Sequence, residues 1–272
     1  MTIVEYTVCD GVAELRLNRP NKLNAINGAM LDALAAALTQ AETDDAVKVI
    51  VIAGNGRAFS AGFDLDIGEP ADGQSREAFL RTELRRDFDL IMRFWDCPKP
   101  TIASVHGYCL GSSMEIAAVC DLTIAASDCR FGAPEVCYGS GIVCLVLPWI
   151  VGLKSAKEIL LTGATDISAA YALRCGLINR VVEVDALAKE TASLAKQIAL
   201  NDSLAVQLTK KAINASWEAA GMRDALEAAL EVDIRIESTE TPESAAFNRI
   251  LEEQGPKAAL AWRAQRLGAA KD

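Results

Sequence analysis

Glu115 and Glu135 sit in the two segments of this chain best suited to hold a carboxylate beside a reacting group. Glu115 closes the run Gly107-Tyr-Cys-Leu-Gly-Ser-Ser-Met-Glu115, whose small residues lead into a helix, and Glu135 follows Pro134. An earlier run, Arg57-Ala-Phe-Ser-Ala-Gly-Phe-Asp-Leu65, puts a small residue before a glycine in an apolar setting. There a backbone N–H can approach a ligand oxygen without obstruction from a side chain. Two acids and two such donors are the parts needed for enolate chemistry: the donors hold the oxygen on which charge develops, and the acids move protons. The same Ser112-x-x-Glu115 also reads as a capping box, in which both side chains serve the helix start.

Other chemistries find less support. His106 is the only histidine, so a multi-histidine metal site is excluded. It stands at the end of a strand before Gly107, which reads as structural more readily than as the base of a pair with Cys109. No G-x-S-x-G nucleophile elbow is present, and Gly54-Asn-Gly-Arg-Ala-Phe59 lacks both the G-K-[ST] of a phosphate loop and the third glycine of a dinucleotide fingerprint. The eight cysteines include no C-x-x-C pair and read as small buried hydrophobes in a reducing compartment, with the cytoplasm as the default. A net charge of −10 repels nucleic acid and anionic bilayers alike. The N-terminus shows no secretory pattern, and the longest apolar run, Ile142 to Val151, is about half the ~20 residues of a spanning helix.

The elements that would position these residues follow from periodicity. Residues 3–8 and 12–17 alternate as strands around the hairpin signal Asp10-Gly11. Met30, Leu34 and Leu38 mark a helix, and residues 47–53 a buried strand. Residues 75–95 carry Phe79, Leu84, Phe88, Ile91 and Trp95 on one helical face, stopped by Pro98 and Pro100 before the extended segment 101–105. A helix from about Gly111, a strand at 121–125 and a final strand near 176–182 complete a mixed α/β pattern. From about residue 185 helices dominate, at 185–200, 202–219, 221–238 and 242–268, the last interrupted near Gly255-Pro256.

These runs, together with Arg19-Pro-Asn-Lys-Leu-Asn-Ala-Ile-Asn27, Cys120-Asp-Leu-Thr-Ile-Ala-Ala-Ser127, Phe131-Gly-Ala-Pro-Glu135, Ala156-Lys-Glu-Ile-Leu-Leu-Thr-Gly163 and Gly176-Leu-Ile-Asn-Arg-Val-Val182, resemble the crotonase (enoyl-CoA hydratase/isomerase) superfamily in order and over almost the whole chain. The resemblance implies a crotonase-like spiral of ββα repeats over residues 1–195. It further implies a helical region over 196–272 that mediates assembly into a homotrimer or a homohexamer. It assigns an acyl-CoA thioester as substrate, with coenzyme A part of that substrate and no other cofactor or metal. The oxyanion hole falls on the backbone N–H groups of Ala61 and Ser112. Glu115 becomes the water-activating acid and Glu135 the acid that exchanges the Cα proton. Substrate-binding positions fall on Lys22, Ala58, Asp64, Leu65, Gly111 and Tyr138, with Lys22 near the CoA phosphates or pantetheine; Asp64 is expected to fix its loop rather than react. The activity implied is hydration of a 2-enoyl-CoA. A Δ3-Δ2 enoyl-CoA isomerase, an acyl-CoA hydrolase or lyase, and a non-catalytic acyl-CoA-binding protein are the alternatives.

Two features depart from the family pattern. Ser112 and Ser113 replace a pair of glycines, and the segment after Glu135 lacks the Pro-Gly-x-Gly-Gly turn of many hydratases. Tyr138, Ser140 and the run from Ile142 to Leu147 therefore read equally as an apolar pocket wall or as a core helix.

Overall fold

The computed structural model describes residues 2–65 and 68–268. Strands β1 (Val4–Cys9) and β2 (Val12–Leu17) form an antiparallel hairpin. Its turn residues Asp10 and Gly11 both take positive φ, 50° and 79°, the two-residue geometry that matches strand twist. Helix α1 (Gly28–Thr43) is capped by the Asn27 side chain, which accepts from the Met30 N–H, and buries Met30, Leu34 and Leu38. Strand β3 (Val49–Gly54) is buried at every residue, as a parallel strand covered on both faces must be. Helix α2 (Arg76–Asp96), capped by Ser75, buries the expected face from Phe79 to Trp95.

The chain then winds in repeats of two strands and a helix. Strands β4 (Thr101–Val105) and β5 (Tyr108–Leu110) precede α3 (Ser112–Val119); β6 (Leu122–Ala126) and β7 (Arg130–Gly132) precede α4 (Leu147–Thr162). Strand β8 (Ile167–Ser168), helix α5 (Ala169–Arg174) and strand β9 (Arg180–Val182) close the series. Each strand pair gives one member to each of two sheets. The larger has the order β1-β2-β3-β4-β6-β9, parallel from β2 onward, and the smaller the order β5-β7-β8. The fold is the mixed α/β spiral that the sequence led us to expect.

Five helices follow: α6 (Leu187–Ala199), α7 (Ser203–Ala219), α8 (Met222–Glu237), α9 (Pro242–Gln254) and α10 (Pro256–Gly268). Position 195 lies inside α6, whose Leu187, Leu194 and Ala195 pack on Val49, Val51, Ile102 and Ile124 of the large sheet. Helix α8 packs on α2 and carries Leu226, Leu230 and Ile234 into the main core. Among the described residues no helix is long and apolar enough to cross a membrane.

Helix α7 is tied to the sheet by one buried ion pair. Lys210 Nζ lies 2.7 Å from Asp121 Oδ2 and also donates to the carbonyl of Lys99 at 3.2 Å. Asp121 in turn accepts from the Thr101 N–H at 2.7 Å and hydroxyl at 3.0 Å. Removing one partner of such a pair strands the other charge in the interior. Asp121→Ala is therefore expected to lower the unfolding free energy in urea by about 3 kcal/mol, more than Asp121→Asn, which keeps the hydrogen bonds.

Candidate active site

The segment after β3 is organised by a buried asparagine. Asn24, fully buried at φ 54°, donates its side-chain amide to the carbonyls of Asn55, Ala58 and Phe59. The chain from Phe59 then runs beside β5: Phe59 N–H donates to His106 O, Ser60 N–H to Tyr108 O, and Leu110 N–H to Ser60 O. Ser113 locks the two segments together through its hydroxyl, 2.9 Å from Ser60 O and 2.7 Å from Leu110 O.

Accounting for the N–H groups of this segment corrects one expectation from the sequence. The Ala61 N–H donates to Leu23 O at 2.9 Å and is not free to meet a ligand. Gly62 N–H is held by Ser60 Oγ at 3.1 Å, and Asp64 N–H by Ile26 O at 2.9 Å. Phe63 alone between Phe59 and Asp64 has an N–H without a protein partner. The sequence carried no signal for this, because only the neighbouring chain at Leu23–Ile26 determines which N–H groups are taken. Ser112 stands at the first position of α3, where an N–H has no intrahelical acceptor and the helix dipole favours negative charge.

Two glycines bring these donors together. A Cβ on Gly62 would lie 2.7 Å from Leu110 O and 3.3 Å from Ser112 N, so the Gly62–Phe63 peptide passes directly beside the start of α3. Gly111, at φ 57°, leaves the space that a Cβ would take to Oε1 of Glu135. The Ser112–Glu115 capping box does not form: Gly111 caps α3 without a side-chain bond, and Ser112 Oγ is buried without a partner.

Glu115 instead turns inward, 3% exposed, and its Oε2 accepts from the Cys144 N–H at 3.2 Å. Burial is the main reason its carboxyl titrates well above the usual range; the charges of Glu135 and Asp233 add to the rise, and the Cys144 N–H opposes it. Glu135 begins a short 3-10 turn, Glu135–Cys137, and is pushed up to about 7, first by burial and then by Glu237, against the pull of its own backbone N–H. Its Oε2 is enclosed and has no partner. The two acids that the sequence singled out thus come together at one site, where burial raises both and the charge of Glu135 raises Glu115 further.

Two further acids of α8 approach the same site, with Asp87 of α2 beside them. Asp233 is 2% exposed, and neither carboxyl oxygen has a partner. Burial raises it to about 8, with Glu237, Glu135 and Asp87 contributing. Asp87 is raised to about 7, chiefly by burial. Sequence periodicity held a signal that had gone unused: Asp233 and Glu237 fall in the same helical stripe as Leu226 and Leu230.

The remaining expected positions are spread around this centre. Lys22 is exposed on the turn Pro20–Lys22. Ala58 is buried, its carbonyl taken by Asn24. Asp64 pairs with Arg19 at 3.1 Å and so holds its loop, while Leu65 is half-buried. Tyr138 stacks on Phe247 of α9 with ring centroids 4.9 Å apart. Residues 138–146 form a loop rather than a core helix, with α4 starting at Leu147. His106 contacts Gly56 O at 2.9 Å, and Cys109 donates to Ser113 O, so they form no nucleophilic pair.

Comparison with known proteins agrees with this architecture. Residues 7–253 match the family described as enoyl-CoA hydratase/isomerase. The short-chain-enoyl-CoA hydratase of Clostridium acetobutylicum is 37% identical over 211 residues, covering 75% of this chain and 77% of its own length. The crotonyl-CoA hydratase of Syntrophomonas wolfei is 36% identical over 228 residues, 82% of this chain and 83% of its own. The crystal structure of an enoyl-CoA hydratase/isomerase from Xanthobacter autotrophicus Py2 superposes with a TM-score of 0.93 at 45% identity, over 97% of this chain and 98% of that one.

The site's dependence on Gly111 can be tested directly. Gly111→Ala places a Cβ in a left-handed conformation and against the Glu135 carboxyl, so a loss of about 1–3 kcal/mol in unfolding free energy is expected. Measurement of denaturant midpoints, with Gly73→Ala in open surroundings as the control for a positive-φ glycine, separates the contact from the backbone cost.

Proposed function

The chain belongs to the enoyl-CoA hydratase/isomerase family, and we propose that it hydrates 2-enoyl-CoA thioesters. The observation that carries this reading is the convergence of two buried carboxyls, both raised above the usual range, on the turn where the Phe63 and Ser112 N–H groups lack partners. With the thioester oxygen between those donors, a water oxygen bonds to Cβ and passes a proton to ionised Glu115. The π electrons move to the thioester oxygen as an enolate, which then takes the proton of Glu135 at Cα. Transfer of the proton from Glu115 back to Glu135 restores the pair. Fixed donors aimed at the developing charge favour the enolate over the ground-state carbonyl, because they need no reorganisation as the charge appears.

Supporting residues follow from position. Gly111 keeps the face of α3 open, Asp64 holds the donor loop through Arg19, and Tyr138 borders the loop after Glu135. Lys22, exposed beside that loop, is assigned to the anionic end of CoA as a point charge. Coenzyme A is the substrate's own carrier, and the two carboxyls suffice for the proton transfers without another cofactor. Exposed Leu204, Leu208 and Ile213 on α7 support self-association into a homotrimer or a homohexamer. The unpaired cysteines suit a reducing compartment, here the cytoplasm.

A second reading has a specific basis. Burial favours the protonated form of Glu115, and Glu135 ionises at about 7, which suits a Δ3-Δ2 isomerase that shuttles one proton on one carboxylate. Assays with crotonyl-CoA and a 3-enoyl-CoA divide the two. Hydration is expected to lose about 10²–10⁴ in kcat in both Glu115→Gln and Glu135→Gln. Isomerisation that persists in Glu115→Gln, with no hydration in the wild type, would reverse the assignment.

The donor role of Ser112 has its own test. Proline is compatible with the first position of a helix, so Ser112→Pro removes the N–H while preserving α3. A fall of about 10²–10³ in kcat is expected, against a small effect for Ser112→Ala, which removes the hydroxyl and keeps the N–H; equal losses in both variants would assign the role to the hydroxyl.

The pH profile carries the remaining test. Glu115 must be ionised to take a proton from water and Glu135 protonated to give one to Cα, so kcat/KM should fall as pH rises through about 7, where Glu135 loses its proton, while the acid limb reports the ionisation of Glu115, which burial shifts upward. Substituting Glu135→Gln should abolish the alkaline limb; a limb unmoved by that change assigns it elsewhere.

A further inference from the structure

Asp233 is a buried carboxyl for which neither the fold nor the proposed reaction accounts. It replaces an apolar residue in a stripe that otherwise fills the core, and both its oxygens lack partners. An unpaired carboxyl taken from water is costly, and nothing in the packing of α8 requires one. The chain has nevertheless made room for it: Gly141 leaves the space against which Asp233 Oδ1 packs, so any side chain at 141 would displace the carboxyl.

The groups facing Asp233 are acids. On its own helix stands Glu237, on α2 Asp87, and on the loop after β7 Glu135. Of the donors nearby, the Cys144 N–H goes to Glu115, while Ser140, Gly141 and Arg76 favour the charged form of Glu237. Glu135 contributes a third enclosed oxygen without a partner, Oε2. Among the described residues no three His, Cys, Asp or Glu side chains are placed to hold a metal ion. Among the described residues no side chain supplies these three oxygens with a partner.

Resting on the hydratase reading above, we propose that Asp233 and Glu135 Oε2 form a receptor for a hydroxyl group on the acyl chain, making a hydroxylated 2-enoyl-CoA the substrate. A hydroxyl suits these groups because it donates to an ionised carboxyl and accepts from a protonated one. Both forms are populated near neutrality, since burial raises Glu135 to about 7 and Asp233 to about 8. An acyl chain ending in a carboxylate adds a further charge to a cluster of four acids and is disfavoured. A plain alkyl chain would leave the carboxyls unpaired, which is the strongest basis for rejecting an analogue that lacks a hydroxyl.

The test uses matched pairs of 2-enoyl-CoA thioesters that carry either a hydroxyl or a methyl at C4, C5 or C6. Wild-type enzyme is expected to favour the hydroxyl member of at least one pair by about tenfold or more in kcat/KM. Asp233→Leu should erase or invert that preference while melting at or above the wild-type temperature; Asp233→Asn, of nearly the same size, gives the reading if the leucine variant fails to fold. A preference for methyl throughout, or a hydroxyl preference that survives both substitutions, overturns the proposal. Should the wild type turn over none of the thioesters, the hydratase reading falls separately. Calorimetric binding of saturated hydroxyacyl-CoA and alkyl-CoA pairs then decides the receptor, and equal affinities in the wild type overturn it.

Discussion

The site rests on the close approach of two backbone segments, one ending at Gly62 and the other at Gly111. Side chains at either position would push the segments apart, because a Cβ on Gly62 meets the backbone of Leu110–Ser112 and one on Gly111 meets the Glu135 carboxyl. Everything around them maintains this approach. Asn24 gathers three carbonyls of the first segment, Ser113 bonds across to the second, and the β5–β7 ladder carries Gly132 to within 2.8 Å of the Gly111 N–H. With all other N–H groups occupied between Phe59 and Asp64, the approach leaves Phe63 and Ser112 as donors on adjoining turns. A rigid frame of satisfied hydrogen bonds thus presents unsatisfied donors at one place, the arrangement that electrostatic preorganisation requires.

Against that positive locus the protein sets an unusual density of buried acid. The helix dipole at the start of α3 and the Cys144 N–H both favour an ionised Glu115, yet burial and the surrounding carboxyls outweigh them. Such a cluster costs stability as the acids ionise. Each raised carboxyl binds its proton more tightly folded than unfolded, so its contribution is present below its ordinary pKa and is lost as pH rises through about 7 for Glu135 and about 8 for Asp233. The large core offsets this, with β3 buried throughout and α1, α2 and α8 contributing continuous apolar faces. The fold therefore tolerates a cluster of acids that its packing does not require.

Much of this was legible in the sequence. The hairpin at Asp10-Gly11, the capped helices after Asn27 and Ser75, and the buried run at 47–53 are local signals, and local hydrogen bonding realises them. The convergence of Glu115 and Glu135 was also readable, because a strand between them returns the chain to the same end of the sheet. What escaped were features fixed by nonlocal partners. Which N–H is free near Gly62 depends on Leu23–Ile26, some forty residues earlier, and whether Ser112 and Glu115 cap their helix depends on Cys144 reaching Glu115 from a later loop. The segment after Glu135 was ambiguous because its apolar composition fits a helix, whereas Gly139 and Gly141 hold it as a loop against Ser244 and Asp233.

That loop also bears on which reaction the acids perform. Hydration and double-bond migration use the same oxyanion donors and differ in where the shared proton resides when the thioester arrives. The Cys144 N–H stabilises charge on Glu115, and Glu237 opposes charge on Glu135, which favours a proton on Glu135. Burial raises both carboxyls and so favours a proton on each. A thioester that fills the site brings its oxygen to the N–H donors and displaces water from the carboxyls, changing both influences at once. The loop from Tyr138 to Cys144 is placed to set the balance, since it touches Glu115 at one end and, through Ser140 and Gly141, the acids of α8 at the other. The segment whose sequence fitted either a pocket wall or a core helix is thereby the one that reaches both Glu115 and Asp233.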